Sequence, residues 1–172
     1  MRYTFIFAFL VLSACSQQKE EKGVKTYADI KGFFNGEASR LTSANPDIKK
    51  SVARNDASET RTVNNINWKT ELSVFAESDI NKPAWQDSYK VISRAGKTTY
   101  LALDPSLRTR EINITKDADG RISKINILNQ VDNVLYSSTE QLLYITDSAY
   151  QISKQQHVAI IGDNRYFIKG EF

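Results

Sequence analysis

The sequence predicts an α+β fold: two helices in the N-terminal half packed on a curved, mostly antiparallel β-meander, half-barrel-like in outline. Three observations carry this. Apolar residues recur at helical spacing between Tyr27 and Ala44, and again between Trp68 and Ala76. From Ser88 onward the pattern changes to a period of two. The links between the period-two runs are short, which requires antiparallel neighbours, because parallel strands need long crossovers.

In chain order, the folded part is expected to begin near Thr26. Tyr27, Ile30, Phe33, Phe34, Leu41 and Ala44 give the first helix one apolar stripe. Asn45-Pro46 ends it, since proline disfavours helical geometry in the residue before it. Ile48 to Ala53 and Glu59 to Val63 read as a hairpin around Asn55-Asp56-Ala57-Ser58. Asn67 can cap a second helix, with Trp68, Leu72, Phe75 and Ala76 on one side, which stops before Asn81-Lys82-Pro83. Strands then follow at 89–92, 98–103, 110–116, 121–128, 134–145, 149–153, 157–161 and 165–169. Ala95-Gly96-Lys97, Asp117-Ala118-Asp119-Gly120 and Gly162-Asp163-Asn164 are the expected turns. Two amphipathic helices and such a meander can bury their apolar faces against each other.

The N-terminus has a different grammar. Met1-Arg2-Tyr3-Thr4 is a short positive start, and Phe5 to Leu12 is an apolar run too short to span a bilayer as a helix. Leu12-Ser13-Ala14 then leads into Cys15, the one cysteine in the chain. This stretch resembles the lipobox of bacterial lipoproteins: Leu, a small residue, Ala or Gly, then Cys. The resemblance implies that 1–14 is a signal peptide that is removed. It also implies that the Cys15 thiol takes a diacylglycerol and that the new amine is acylated with a chain such as palmitate. Two or more chains make a stable anchor where one is marginal. Residues 15–25 are then the lipidated cysteine and a polar tether, and 26–172 a single domain.

The resemblance extends to location. Ser16 rather than Asp follows Cys15, which in many Gram-negative lipoproteins favours the outer membrane. Gln18-Lys19-Glu20-Glu21 is similar to the run that exports some lipoproteins to the cell surface, so the periplasmic face and the outside are both open. The helix-then-meander order is similar in outline to the half-barrel of periplasmic lipoprotein carriers. The chain also resembles a family of Gram-negative outer-membrane lipoproteins that brings no activity with it. Fold alone carries no function.

Composition excludes some classes. Without Arg2, the one charged residue before Cys15, 22 basic residues stand against 20 acidic ones. That balance is no footprint for nucleic acid. His157 is the only histidine and sits in an expected strand, so neither a metal site nor a Ser-His-Asp arrangement is foreseen, and no cofactor is implied. Arg94-Ala95-Gly96-Lys97-Thr98 lacks the first glycine and the helix of a phosphate loop. Asp117-Ala118-Asp119-Gly120 lacks the closing Glu of a calcium loop.

Two sets of candidate site residues remain. Glu77 to Asp87 concentrates carboxylates, Lys82 and Trp85 in one connector; Asp79 and Asp87 could run a hydrolysis if burial held one of them protonated. Phe33 and Phe34, facing tyrosines 89, 100, 136, 144, 150 and 166 on the strands, could line an apolar cavity. The first expectation is therefore a non-enzymatic, membrane-anchored envelope lipoprotein that binds an apolar small molecule or an envelope protein. The alternative is a surface hydrolase built on the connector.

Overall fold

The computed structural model of the protein describes residues 27–172. Cys15 and the signal-peptide, tether and export-signal readings lie outside them. Helix α1 spans Ile30–Ala44. Its start is fixed by Asp29, whose carboxylate accepts the Gly32 N–H at 2.9 Å. Its end is fixed by Asn45 in the left-handed region at φ 42°, with the Asn45 N–H bonded to the Leu41 carbonyl. Ile30, Phe34, Ala38 and Leu41 form the buried stripe, while Ala44, expected on it, is exposed at the helix end.

The hairpin is present as β1 (Ile48–Arg54) and β2 (Ala57–Val63). The second helix is not continuous. It divides into α2 (Trp68–Glu71) and α3 (Ser73–Ala76), because Leu72 takes a bridge-region backbone with ψ near 6°. The path stays helical on either side, and Trp68, Leu72 and Phe75 all reach the core.

Seven strands follow: β3 (Tyr89–Arg94), β4 (Lys97–Ala102), β5 (Thr109–Lys116), β6 (Ile122–Asp132), β7 (Tyr136–Ile145), β8 (Ala149–Val158) and β9 (Gly162–Glu171). Together with the hairpin they make one nine-stranded antiparallel sheet, curved and open, in the order β2-β1-β9-β8-β7-β6-β5-β4-β3. The α+β class and the antiparallel meander are as the sequence predicts. The early hairpin docks on the last strand, with Val52 opposite Ile168.

Two strand boundaries differ from expectation. Residues 149–158 form one strand rather than two, since an unbroken ladder with β7 and β9 carries the polar run Lys154-Gln155-Gln156 through. The last hairpin therefore turns at 159–161, not at Gly162-Asp163-Asn164, and Ile160 and Ile161 stand at its tip. Likewise β7 begins at Tyr136, leaving Val134 and Leu135 in a loop.

All the helices lie on one face of the sheet. The core there contains Ile112, Ile125, Leu142, Tyr144 and Tyr150, met by Phe34, Trp68, Leu72 and Phe75 from above. The two core tyrosines also pin the helices. Tyr144 donates its hydroxyl hydrogen to Glu37, which pairs with Arg40 at 2.8 Å. Tyr150 donates to Glu71 at 2.5 Å, which pairs with Lys50 at 2.6 Å. Each phenol thus has an apolar ring in the core and a satisfied polar tip.

The sheet has two distinct ends. Links 55–56, 103–108, 133–135 and 159–161 lie at what is called here the upper end; 95–96, 117–121 and 146–148 lie at the lower. The described chain starts near the upper end. Tyr27 donates its hydroxyl hydrogen to the carbonyls of Trp85 and Gln86, which lead into β3, and its ring meets Tyr89 and Tyr100 edge-on.

Candidate functional site

The register sorts the helix-bearing face into rows across β6, β7, β8 and β9. The two lower rows are Ile125-Tyr144-Tyr150-Gly170 and Ile127-Leu142-Ile152-Ile168. They are apolar and belong to the core or pack against it. Chemistry changes at the third row, Asn129-Glu140-Lys154-Tyr166, and stays polar in the fourth, Val131-Ser138-Gln156-Asn164. A cleft of about 820 Å³ is lined by the fourth row and its chain neighbours, with Arg110 on one side and Asn55-Asp56 on the other. The sheet therefore leaves a polar trough at its upper end.

The third row is the wall between trough and core. Glu140 is 8% exposed. Its carboxylate accepts from Arg108 Nη2 at 2.7 Å, Lys154 Nζ at 3.2 Å and Asn129 Nδ2 at 3.4 Å. Burial pushes the Glu140 carboxyl up, but the Lys154 hydrogen bond and the charges of Arg108 and Lys154 outweigh it and hold the group below the usual carboxylate range. Burial pulls Lys154 down, and its bond to Glu140 more than restores it, leaving it raised. Asn129 also donates to Ser78 Oγ at 2.8 Å, and Thr109 Oγ1 donates to the Ser78 carbonyl, tying the wall to the segment after α3.

This wall has a pH signature. A carboxyl whose folded pKa lies below its unfolded value contributes stability that is complete above the unfolded value, about 4.3, and is lost as pH falls through the folded one. Glu140→Gln should cost about 1–2 kcal/mol at neutral pH, less than a fully buried pair because Arg108 and Lys154 keep a third of their surface. The difference in thermal midpoint between the two proteins should shrink below about pH 4. A gap that is constant from pH 7 to pH 3 would show that the ionised carboxylate contributes nothing.

Two buried polar atoms near the trough have no hydrogen-bond partner: Arg110 Nε and Asn129 Oδ1. Arg110 owes its position to a β-bulge. The β5–β6 register shifts between Thr109 and Glu111, which leaves Arg110 out of the ladder and re-aims its side chain. One of its terminal nitrogens donates to the Asp104 carbonyl at 3.3 Å. The Nε–H is thus an oriented, desolvated donor on a cation, in a wall whose one carboxylate is already engaged.

The connector has another task. Asn81 accepts the Tyr27 N–H at 3.0 Å and donates to the Ala28 carbonyl at 2.9 Å and to Asp79 at 3.2 Å. Lys82 stacks 3.8 Å over the Trp85 ring. Asp79 and Trp85 therefore clamp the start of the domain. Asp87 and Glu77 are exposed, and half-buried Asp79 accepts from Asn81 Nδ2. Phe34, 1% exposed, packs on Phe75 and Tyr144, and Phe33 packs half-buried on Phe34 and Tyr144. These phenylalanines are brought together in the core, away from the trough. His157 is an exposed strand residue bonded to Asp163 at 2.7 Å. Among the described residues no group of three His, Cys, Asp or Glu is placed to hold a metal ion.

Nothing in the sequence-based expectations marks Arg108, Arg110, Glu140 or Lys154 as site residues. A signal existed for two of them. Along β7 the buried alternation runs Tyr144, Leu142, Glu140, Ser138, and the residues paired with it in β8 run Tyr150, Ile152, Lys154. The apolar alternation stops at the same row in both strands. No family model, no curated protein and no solved structure matches this chain.

Proposed function

We propose that this protein is a non-enzymatic lipoprotein of the bacterial envelope, anchored through acylated Cys15 at the outer membrane, whose trough binds an anionic ligand. The Leu12-Ser13-Ala14-Cys15 stretch supports the anchor, and Ser16 the outer-membrane address. The ligand reading rests on one observation: the buried, unpartnered Nε–H of Arg110 on the side of an 820 Å³ cleft. A buried donor without a partner is costly, and a charged one more so. The cleft carries Asp56, Asp132 and Asp163 beside Arg110 and Arg165, so its polar lining argues against the apolar ligand expected from Phe33 and Phe34, whose rings are spent on the core, while the anion reading stands on the Arg110 Nε–H alone.

The test is a thermal-unfolding screen of the protein against inorganic phosphate, pyrophosphate, citrate and simple carboxylates. At least one should raise the midpoint. Arg110→Ala should weaken its binding by about 10–100-fold, the value of one charge-assisted hydrogen bond. Binding that is unchanged in Arg110→Ala would move the ligand out of the trough.

A further inference from the structure

The large apolar side chains that water reaches most are not scattered. Leu103, Val134, Leu135, Ile160 and Ile161 are 64%, 95%, 68%, 95% and 76% exposed, and all five lie in upper-end links. The lower-end links carry no large apolar side chain and hold Asp117, Asp119, Arg121 and Asp147, while Asp56, Asp104 and Arg108 stand in the upper-end links 55–56 and 103–108. Val52 and Val91, 42% and 50% exposed, lie within strands; the five most exposed aliphatics among the described residues gather at one end, on protruding loops, and mark an interaction surface rather than ordinary surface apolarity.

We propose that the 133–135 and 159–161 tips enter the lipid surface to which the protein is anchored, setting the domain upright on its upper end; this rests on the Cys15 anchor proposed above. Three features favour lipid over a protein partner. Neither tip contains a charged residue: they read Asn133-Val134-Leu135 and Ala159-Ile160-Ile161. Four of their six backbone N–H groups are bonded within the loops, the pairing a bilayer demands of any group it takes in. The Ala159 N–H bonds to the Leu135 carbonyl at 3.1 Å, joining the two tips. The Ile161 N–H bonds to the Val158 carbonyl at 3.0 Å. Asn133 Oδ1 accepts the N–H groups of Leu135 and Tyr136 at 3.1 and 3.0 Å.

The third feature is where the tether arrives. Tyr27, the first described residue, is held at the upper end by the carbonyls of Trp85 and Gln86. Cys15 is 12 residues earlier in the sequence, a reach of at most about 43 Å. The lipid on Cys15 and the aliphatic tips can therefore occupy one membrane surface together. In that pose the trough opens toward the headgroups.

The test uses protein purified from its own membrane and reconstituted in vesicles of phosphatidylethanolamine and phosphatidylglycerol bearing brominated acyl chains. Intact mass first reports whether Cys15 carries lipid. Where it does not, the anchoring proposal fails, and the free thiol is coupled to a maleimide lipid so that the tips are tested all the same. Val134→Trp and Ile160→Trp report depth, read as the emission added to that of the native protein. Asp119→Trp at the lower end is the control. The added emission of the two tip tryptophans should be mostly lost to bromine quenching, and that of the control retained. Tip emission as unquenched as the control, with the protein held on the vesicles, would overturn the proposal and leave the patch to a protein partner.

Discussion

Gly170→Ala is expected to destabilise the domain by about 3 kcal/mol, the upper end of what overpacking costs. That corresponds to a fall of roughly 6–12 °C in thermal midpoint for a domain of this size. A Cβ at 170 would overlap the Tyr150 ring and stand 2.6 Å from its Cζ. Tyr150 cannot give way. It is fully buried, set edge-on to Trp68, tilted against Phe172, and tied through its hydroxyl to Glu71. Gly170 is opposite Lys50 of β1 as well, so a shift of its backbone would also strain the seam between the hairpin and the meander. Gly36 is the internal control. Nothing lies within 4 Å of a Cβ there, and Gly36→Ala in exposed α1 should stabilise by about 0.5–1 kcal/mol. Thermal or urea unfolding of the two variants measures both effects. A Gly170→Ala protein as stable as the wild type would mean that the Tyr150 packing described here is wrong.

The reasons for what sequence could and could not foresee are local. Stripe and cap made α1 legible: Ile30, Phe34 and Leu41 repeat on one face, and Asn45-Pro46 closes it. Period two and turn chemistry made the meander legible, down to Ala95-Gly96, both at positive φ as a two-residue hairpin turn demands. Composition misled at the tips. Val134-Leu135 and Ile160-Ile161 are strong strand formers, and burial decides strand ends more than propensity does. The opposite error split β8, where polar Lys154 to Gln156 still pair on both sides.

The trough was hidden for a different reason. Its wall joins Arg108, Asn129, Glu140 and Lys154 from four strands or their flanks, a juxtaposition that only the register creates. Arg110 depends on a bulge that no local pattern announces. The connector looked chemical because it gathers carboxylates with Trp85. Asp79 and Asn81 instead serve the clamp on Tyr27.

Cys15→Ser is expected to have an all-or-none effect on location. Without the thiol no diacylglycerol can be added, and the processing that follows lipid addition at a lipobox should stop. The variant should accumulate with residues 1–14 still attached. It should lose the firm membrane attachment that two or more acyl chains confer and one does not. Fold stability should not change, because the core of residues 27–172 contains no cysteine. A Cys15→Ser protein processed and retained in the membrane fraction like the wild type would show that something other than this residue holds it there.

The most direct measurement is the intact mass of the protein purified from its own membrane. The expected result is a chain beginning at Cys15 and heavier than its sequence by a diacylglycerol and an acyl chain. A mass equal to the full 172-residue chain, or to a shortened chain with a bare Cys15 thiol, would contradict it.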